Sequence, residues 1–561
     1  MARLARLAMR VVSRLRDATR SPQRLWWFGV RVVRLALRGE LPGMLARLRA
    51  CSPDATEYRA WLRESVDSPE VAPTASPWRE VRVDLASETA RARVAARLAA
   101  SLPAPNAGAD AVLWVGADVA PDASLAGRFA AALAAFPDAQ AAYADYDHLD
   151  AQGRRERPVL ASAWDAEQAF ERNPCGPLLL VRDRAALTAS ERAPAGEAIS
   201  AAVAELAATT GARVLHVPGI ACHAIGEVPD SGVEWRLRHA RRGVEAARHR
   251  GADVGFDSGS APTVRFRAPA EVTLSVVVAV RDRAELLRRC VASLPVALEG
   301  RAVEIVVVDN GSTDPEVASL CRELARARSL RVVPRPEPFN FAALCNAGTA
   351  QASGSVLLFL NNDARFASPD GVAELVALAA RPWTGAAGPW LFYEDGRVQS
   401  AGVLVGVNRT ATSALAGFAP GDAAAVGWSA SRRRVSAVMG ACLAVERRKF
   451  TAVGGFDEGF AVSHNEVDLC LRLERAGYAN VVTPYARVLH VEGASRGYEV
   501  EPAERVRLAE EEGRFLARWG KRAAATDPAH HPWLAREGNP FDFAPGPVAA
   551  GPRLGWSAGD D

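Results

Sequence analysis

Four short apolar runs rich in β-branched residues recur between residues 274 and 360: LSVVVAV (274–280), EIVVVD (304–309), a shorter one near Leu330–Val333, and VLLFL (356–360). None alternates with polar residues, and EIVVVD and VLLFL, each leading to an acid, read as parallel strands buried on both faces. Between them apolar positions fall at helical spacing: Leu286, Leu287 and Leu294, then Val317, Leu320 and Leu324, then the stretch Phe341–Gln351. The alternation predicts an α/β fold built on a doubly wound, mostly parallel sheet.

The pattern also repeats at long range. VLWVGADVAPDASL (112–125) lines up with VLLFLNNDARFASPDGV (356–372), setting Asp118 opposite Asp363. CGPLLLVRDR (175–184) matches MGACLAVERR (439–448), and Pro218 and His223 fall near Pro484 and His490. Two diverged copies of one fold account for this. The first copy has only about thirty residues before its Asp118 strand, too few for two βα units, and has Ser200 and Ala202 opposite Glu466 and Asp468. It is therefore expected to be truncated, degenerate and non-catalytic. Low-pattern stretches at 51–78, at 251–271 and after about 522 divide the chain. The expected units are a helical segment over 1–52, the degenerate module over 76–250, the second module over 272–521 and a tail over 522–561.

At 561 residues the chain exceeds one ordinary core. Its formal charge of +3 is nearly neutral for that size, which argues against nucleic acid as a partner. Arginine vastly outnumbers lysine, whose only positions are Lys449 and Lys521, so arginine clusters carry little weight. The eight cysteines show no paired metal spacing and fit reduced thiols in the cytoplasm. No apolar run approaches the ~20 residues of a spanning helix. Residues 1–52 are instead basic and amphipathic, with Leu4, Leu7, Val11 and Leu15 at helical spacing among arginines. Such a segment either lies on the inner face of an anionic membrane or packs as an appendage on its own domain.

Candidate chemistry sits at strand ends, where open α/β sheets bind ligands. Asp309 closes one strand and passes into the turn Gly311-Ser312-Thr313-Asp314; an acid there suits a base or ribose hydroxyl. Val280-Arg281-Asp282-Arg283 after the first strand lacks the glycines of a dinucleotide site, and no P-loop occurs. Asn361-Asn362-Asp363 ends the central strand, where one carboxylate with substrate phosphates would hold Mg²⁺ or Mn²⁺. His490 is a further ligand if its strand returns beside Asp363. His464-Asn465-Glu466-Val467-Asp468 opens a helix. Its acids either serve the helix dipole, or Glu466 accepts a proton from an attacking hydroxyl while Asp468 holds the acceptor or orients the base.

Taken in order, LSVVVAVRDR, EIVVVDNGSTD, PFNFAALCNAG, VLLFLNND, VSAVMGACLAV, VGGFDE, NEVDLCLR and LHVEGASRG resemble the family-two glycosyltransferases of the inverting GT-A fold. The chain is especially similar to two-module bacterial enzymes that build rhamnan or O-antigen polysaccharides. The resemblance implies nucleotide-sugar contacts at Val280, Asp282, Asp309, Asn310, Gly311, Asn346, Asn361 and Asn362. It implies a base at Glu466 with Asp468 as second acid, and Mg²⁺ or Mn²⁺ on Asp363 and His490. Implied partners are a nucleoside-diphosphate sugar, with dTDP-rhamnose favoured, and a glycan or lipid-linked glycan acceptor. Three departures stand out: the metal motif reads Asn-Asn-Asp, the base pair reads Asn-Glu, and His490 lacks a histidine neighbour. The alternative is a non-catalytic nucleotide-sugar-binding or scaffolding subunit of a glycan-assembly complex.

Overall fold

The computed structural model describes residues 58–62, 76–85, 87–225, 228, 233–257, 263–298, 300–422, 428, 430–491, 502–544 and 550–556. The basic segment expected over 1–52 lies outside these residues. The expected βα alternation is present. Strands Leu274–Val280, Glu304–Asp309, Leu330–Pro334 and Val356–Leu360 alternate with helices Ala284–Ala292, Pro315–Ala327 and Phe341–Gln351. The strands at 274, 304 and 356 are buried along nearly their whole length, which is what an uninterrupted apolar run requires. These four strands are mutually parallel. Beyond them the sheet becomes mixed: Cys442–Glu446 runs antiparallel to Val356–Leu360 and to Thr384–Phe392, which in turn pairs in parallel with Ala479–His490.

The first module repeats this pairing scheme. Strand Val112–Val115 is parallel to Glu80–Val83 and antiparallel to Leu178–Val181. Strand Ala141–Leu149 is parallel to Val214–Ile225, and the short strand Val119–Pro121 lies antiparallel to the latter, as Ala364–Phe366 does to Ala479–His490. Individual hydrogen bonds recur as well. Gly116 N donates to Pro177 O at 2.9 Å, matching Asn361 N to Ala441 O at 2.9 Å. Ile225 N donates to Asp118 O at 2.7 Å, matching Val491 N to Asp363 O at 3.1 Å. Asp118 thus occupies the place of Asp363, while the residue in the place of His490 is Ala224, one beyond the His223 that sequence spacing suggests.

Two expectations need correction. The stretch 251–271 is not a bare linker: Val254–Asp257 pairs antiparallel with Thr263–Phe266, and Val254, Val264 and Phe266 are buried in the core. The described residues after 522 are not a free tail either. Arg553–Leu554 adds a strand to the first sheet beside Val214–Ile225. His531 and Trp533 are buried, and the Trp61 and Trp533 rings stand 4.9 Å apart.

The modules meet through buried charge as well as apolar surface. Arg432, fully buried, donates to Glu171 of the first module and, at 2.8 Å, to Glu374 of the second. Arg381 donates to Glu167 at 2.8 Å, and Trp383 Nε1 donates to the other oxygen of the same carboxylate at 2.9 Å. Buried charges persist only when paired and hydrogen-bonded, so these pairs set the relative position of the modules.

Candidate functional site

A cleft of about 570 Å³ opens at the C-terminal ends of the second module's parallel strands. Its walls include Val280, Asp282, Asn310, Asn361, Asn362, Glu466 and His490, with Phe339, Met439 and Arg507. The parallel register aligns Val280 with Asp309, so the first two strands end level and Asn310 enters the cleft. Asp309 Oδ1 accepts from the Ser312 amide (2.9 Å) and hydroxyl (2.6 Å), which closes the turn in which Gly311 takes a φ of +73°. Asp282 is left-handed (φ 56°), as is Arg283 (φ 60°), an arrangement that stores strain at a cleft edge. Amides of Asp314 and Thr313 donate to its carboxylate and hold its pKa below the usual range. Asn310 Nδ2 donates to Arg335 O and Glu337 O, tying the following loop to the strand end.

Glu466 projects from the first turn of the helix Asn465–Arg475, which begins after His464 in the left-handed region. Gly440 lies against the Glu466 side chain, where an added Cβ would stand 3.4 Å from it. Burial raises the Glu466 pKa and the nearby Glu511 carboxylate adds to the rise, against hydrogen bonds from backbone amides. Burial penalises the charged form, so the proton is kept to higher pH and the basic form is lost as pH falls through the raised value. If Glu466 is the base, the acid limb of a kcat/KM profile will lie above the ordinary glutamate range. Glu511→Gln will move it down; an acid limb insensitive to that change would exclude this origin.

The strand that carries His490 returns beside Asp363, the condition on which the sequence reading made it a candidate ligand. Ala364 pairs with His490, and His490 Nε2 lies 3.3 Å from Asp363 Oδ1. Asp363 is buried, and His490 lines the cleft with Asn361 and Asn362. A carboxylate and an imidazole nitrogen this close, with carboxamides beside them, make a donor set suited to Mg²⁺ or Mn²⁺.

Of the expected site residues, Asp309 and Gly311 form the turn described above without lining the cleft, and Asn346 and Asp468 have other work. Asn346 does not line the cleft: its Nδ2 donates to Phe456 O (2.9 Å) and its Oδ1 accepts from Phe456 N (3.0 Å), clamping the Gly454–Asp457 turn. Asp468 is fully buried and accepts from Arg472 (2.8 Å), Arg518 (2.8 Å) and Trp519 (2.9 Å). It anchors the helix Pro502–Ala524 and cannot reach an acceptor. Sequence reasoning missed Arg507, which that helix brings to the cleft, and Gln399, whose Oε1 lies 2.9 Å from His490 Nδ1. Neither stands in a periodic or motif-like position.

In the first module the corresponding position is closed. Asp118 is paired with Arg93 at 3.1 Å and with Arg97, so its charge is already neutralised. Ser200, opposite Glu466, is buried against His239 (Oγ to Nδ1 2.6 Å) under the helix Val233–His249. A separate buried cluster joins Asp145, His216 and His531. His216 Nε2 and His531 Nε2 each lie 2.8 Å from an Asp145 oxygen, and Trp533 N donates to His531 Nδ1. His531 therefore carries its proton on Nε2 and gives it to Asp145, which leaves no lone pair there for a metal. Burial pushes the His216 pKa down to about 4, so it too is neutral. The cluster fastens residues 527–544 to the first sheet.

A family model described as glycosyl transferase family 2 matches residues 275–412. O-antigen biosynthesis protein RfbC of Myxococcus xanthus is 30% identical over 459 residues, which is 77% of this chain and 33% of that protein. An uncharacterised protein, y4gI, of Sinorhizobium fredii is 38% identical over 309 residues, 54% of this chain and 34% of its own length. The N-acetylglucosaminyl-diphospho-decaprenol L-rhamnosyltransferase of Mycobacterium tuberculosis is 31% identical over 245 residues, covering 40% of this chain and 78% of that protein. The chain thus spans about a third of the length of the first two relatives.

Proposed function

The chain belongs to glycosyltransferase family two, and from that premise we propose that its second module moves a sugar from a nucleoside-diphosphate donor to a hydroxyl of a growing bacterial surface polysaccharide, with inversion. One observation carries the reading: Glu466, a carboxylate with a raised pKa, faces the same cleft as the strand ends at Val280, Asn310 and Asn361-Asn362. Glu466 takes the proton of the acceptor hydroxyl, whose oxygen then attacks the anomeric carbon from the face opposite the diphosphate. Asp282, Asn310 and the end of the strand Glu304–Asp309 hold the donor, and enclosing both substrates in one cleft supplies much of the rate.

Asp363 and His490 would hold Mg²⁺ or Mn²⁺, whose charge would neutralise the departing diphosphate. A deoxysugar nucleotide, dTDP-rhamnose, is the donor favoured here, supported by the rhamnosyltransferase similarity. The first module is non-catalytic in this reading, because arginines already satisfy Asp118 and Ala224 replaces the histidine. Among the described residues no helix is long and apolar enough to cross a membrane. Attachment to the inner membrane face rests on the basic pattern of residues 1–52.

Purified chain should release nucleoside diphosphate from one member of a nucleotide-sugar panel in the presence of Mg²⁺ or Mn²⁺ and acceptor. Asp363→Ala should cut that release about 10²-fold or more and weaken donor binding with it. Binding of a nucleotide sugar without release under any condition would favour the scaffolding alternative.

A further inference from the structure

We propose that Gln399 is a positioning residue: it fixes His490 in the tautomer whose Nε2 lone pair faces Asp363, which readies that pair for a divalent cation. The inference rests on the metal-assisted reading above and adds a residue that no motif contains.

Gln399 lies in the short strand Val398–Ser400, beside Thr384–Phe392. Leu391 pairs with Ser400 and Phe392 with Val398, so Gln399 is the extra residue of a bulge. A bulge interrupts the in–out alternation and re-aims a side chain, a device that recurs next to active sites. Here it leaves Gln399 only 6% exposed, with Oε1 2.9 Å from His490 Nδ1. A carboxamide oxygen has no proton to give, so Nδ1 supplies it. In the neutral ring the other nitrogen is then an acceptor. That nitrogen, Nε2, stands 3.3 Å from Asp363 Oδ1 and 3.4 Å from Asn361 Nδ2. A lone pair aimed at a carboxylate is unfavourable by itself and favourable once a cation lies between them. Holding the second ring nitrogen of a ligating histidine is how outer partners set tautomer and ring angle at metal sites.

The same chain contains its own control. The turn bonds Asp150 N to Arg154 O and Tyr393 N to Arg397 O correspond, but Glu156, at the same distance past its turn as Gln399, stays in register opposite His148 and is not the extra residue of a bulge. Its carboxylate pairs with Arg157 instead of a histidine, since Ala224 replaces His490. Asp118 meanwhile is held by Arg93 and Arg97. Where the carboxylate has arginines for cations, both the imidazole and its acceptor are missing.

The test uses the full chain, ¹⁵N-labelled, with long-range ¹H–¹⁵N spectra of its nine histidines and His490 assigned by the signal lost in His490→Gln. A protonated Nδ1 and bare Nε2 are expected in the wild type; the reverse tautomer overturns the proposal. Mn²⁺ binding, followed by paramagnetic resonance of the free ion, gives an independent readout. Gln399→Leu should weaken it about 10–100-fold, while Gln399→Glu, which keeps an acceptor for Nδ1, should stay within about threefold of wild type. Equal losses in both variants, or no loss in Gln399→Leu, overturn the positioning role. Should Gln399→Leu fail to fold, the wild-type tautomer and Gln399→Glu still decide. Failure of the wild type to release nucleoside diphosphate from any sugar nucleotide would instead count against the transfer reading and leave these two measurements interpretable.

Discussion

Glu466→Gln will reduce sugar transfer by about 10²–10⁴-fold, the range a positioned base contributes, and will leave donor affinity within about twofold. The substitution keeps shape and hydrogen-bonding reach but removes the site that accepts a proton. Donor contacts are expected from other elements, the strand ends at Val280, Asn310 and Asn361-Asn362, so binding and chemistry separate. Initial-rate kinetics beside calorimetric titration of the nucleotide sugar distinguish them. The variant's residual rate should also lose the acid limb, because the group whose ionisation produced it is gone. A Glu466→Gln enzyme with full activity would remove the proposed base and with it the mechanism.

Arg432→Met will destabilise the chain by about 3–5 kcal/mol, the cost of breaking a buried ion network by removing one member. Among the described residues Arg432 is the only guanidinium that donates to both Glu171 and Glu374, and its Cζ also lies 5.1 Å from the centroids of the Phe266 and Tyr485 rings. Burial raises the Glu171 pKa and, at Glu374, is outweighed by Arg432, whose charge lowers it. Without the arginine Glu171 would keep only the Tyr485 hydroxyl and a backbone amide, and Glu374 the Thr483 hydroxyl with Arg265 at 3.9 Å, so burial would push both pKa values up. Raised carboxylate values favour the protonated forms, so the loss should be largest at neutral pH and shrink as pH falls and the acids take up protons. Urea unfolding at neutral and mildly acidic pH measures this. The triple change Glu171→Gln, Glu374→Gln and Arg432→Met should recover much of the deficit, whereas a single variant as stable as wild type would show the network to be dispensable.

Much of the second module was legible in the order of its residues. Continuous β-branched runs located the buried strands, helical spacing located the covering helices, and turn residues located the strand ends where Asp309 and Asp363 stand. Long-range matches along the chain pointed to a repeat, whereas the return of His490 beside Asp363 was a condition that only the pairing of Ala364 with His490 meets. Less visible was what each polar side chain does once there. Asp468 and Glu466 sit two residues apart with identical local credentials, yet one is consumed by Arg472, Arg518 and Trp519 and the other faces the cleft. Asn346 looked like a pocket residue and proves to be a clamp.

The sequence by itself determined which segments are buried and in what order they alternate, because burial leaves a periodic trace in neighbouring residues. Only the tertiary structure decided that Asp118 is neutralised by arginines, that Arg553–Leu554 adds a strand to the first sheet, and that a bulge turns Gln399 onto His490. Those outcomes depend on donors and acceptors brought together across long stretches of chain. A carboxylate's chemistry is set by the groups that reach it, and such long-range partners leave no local periodicity to read.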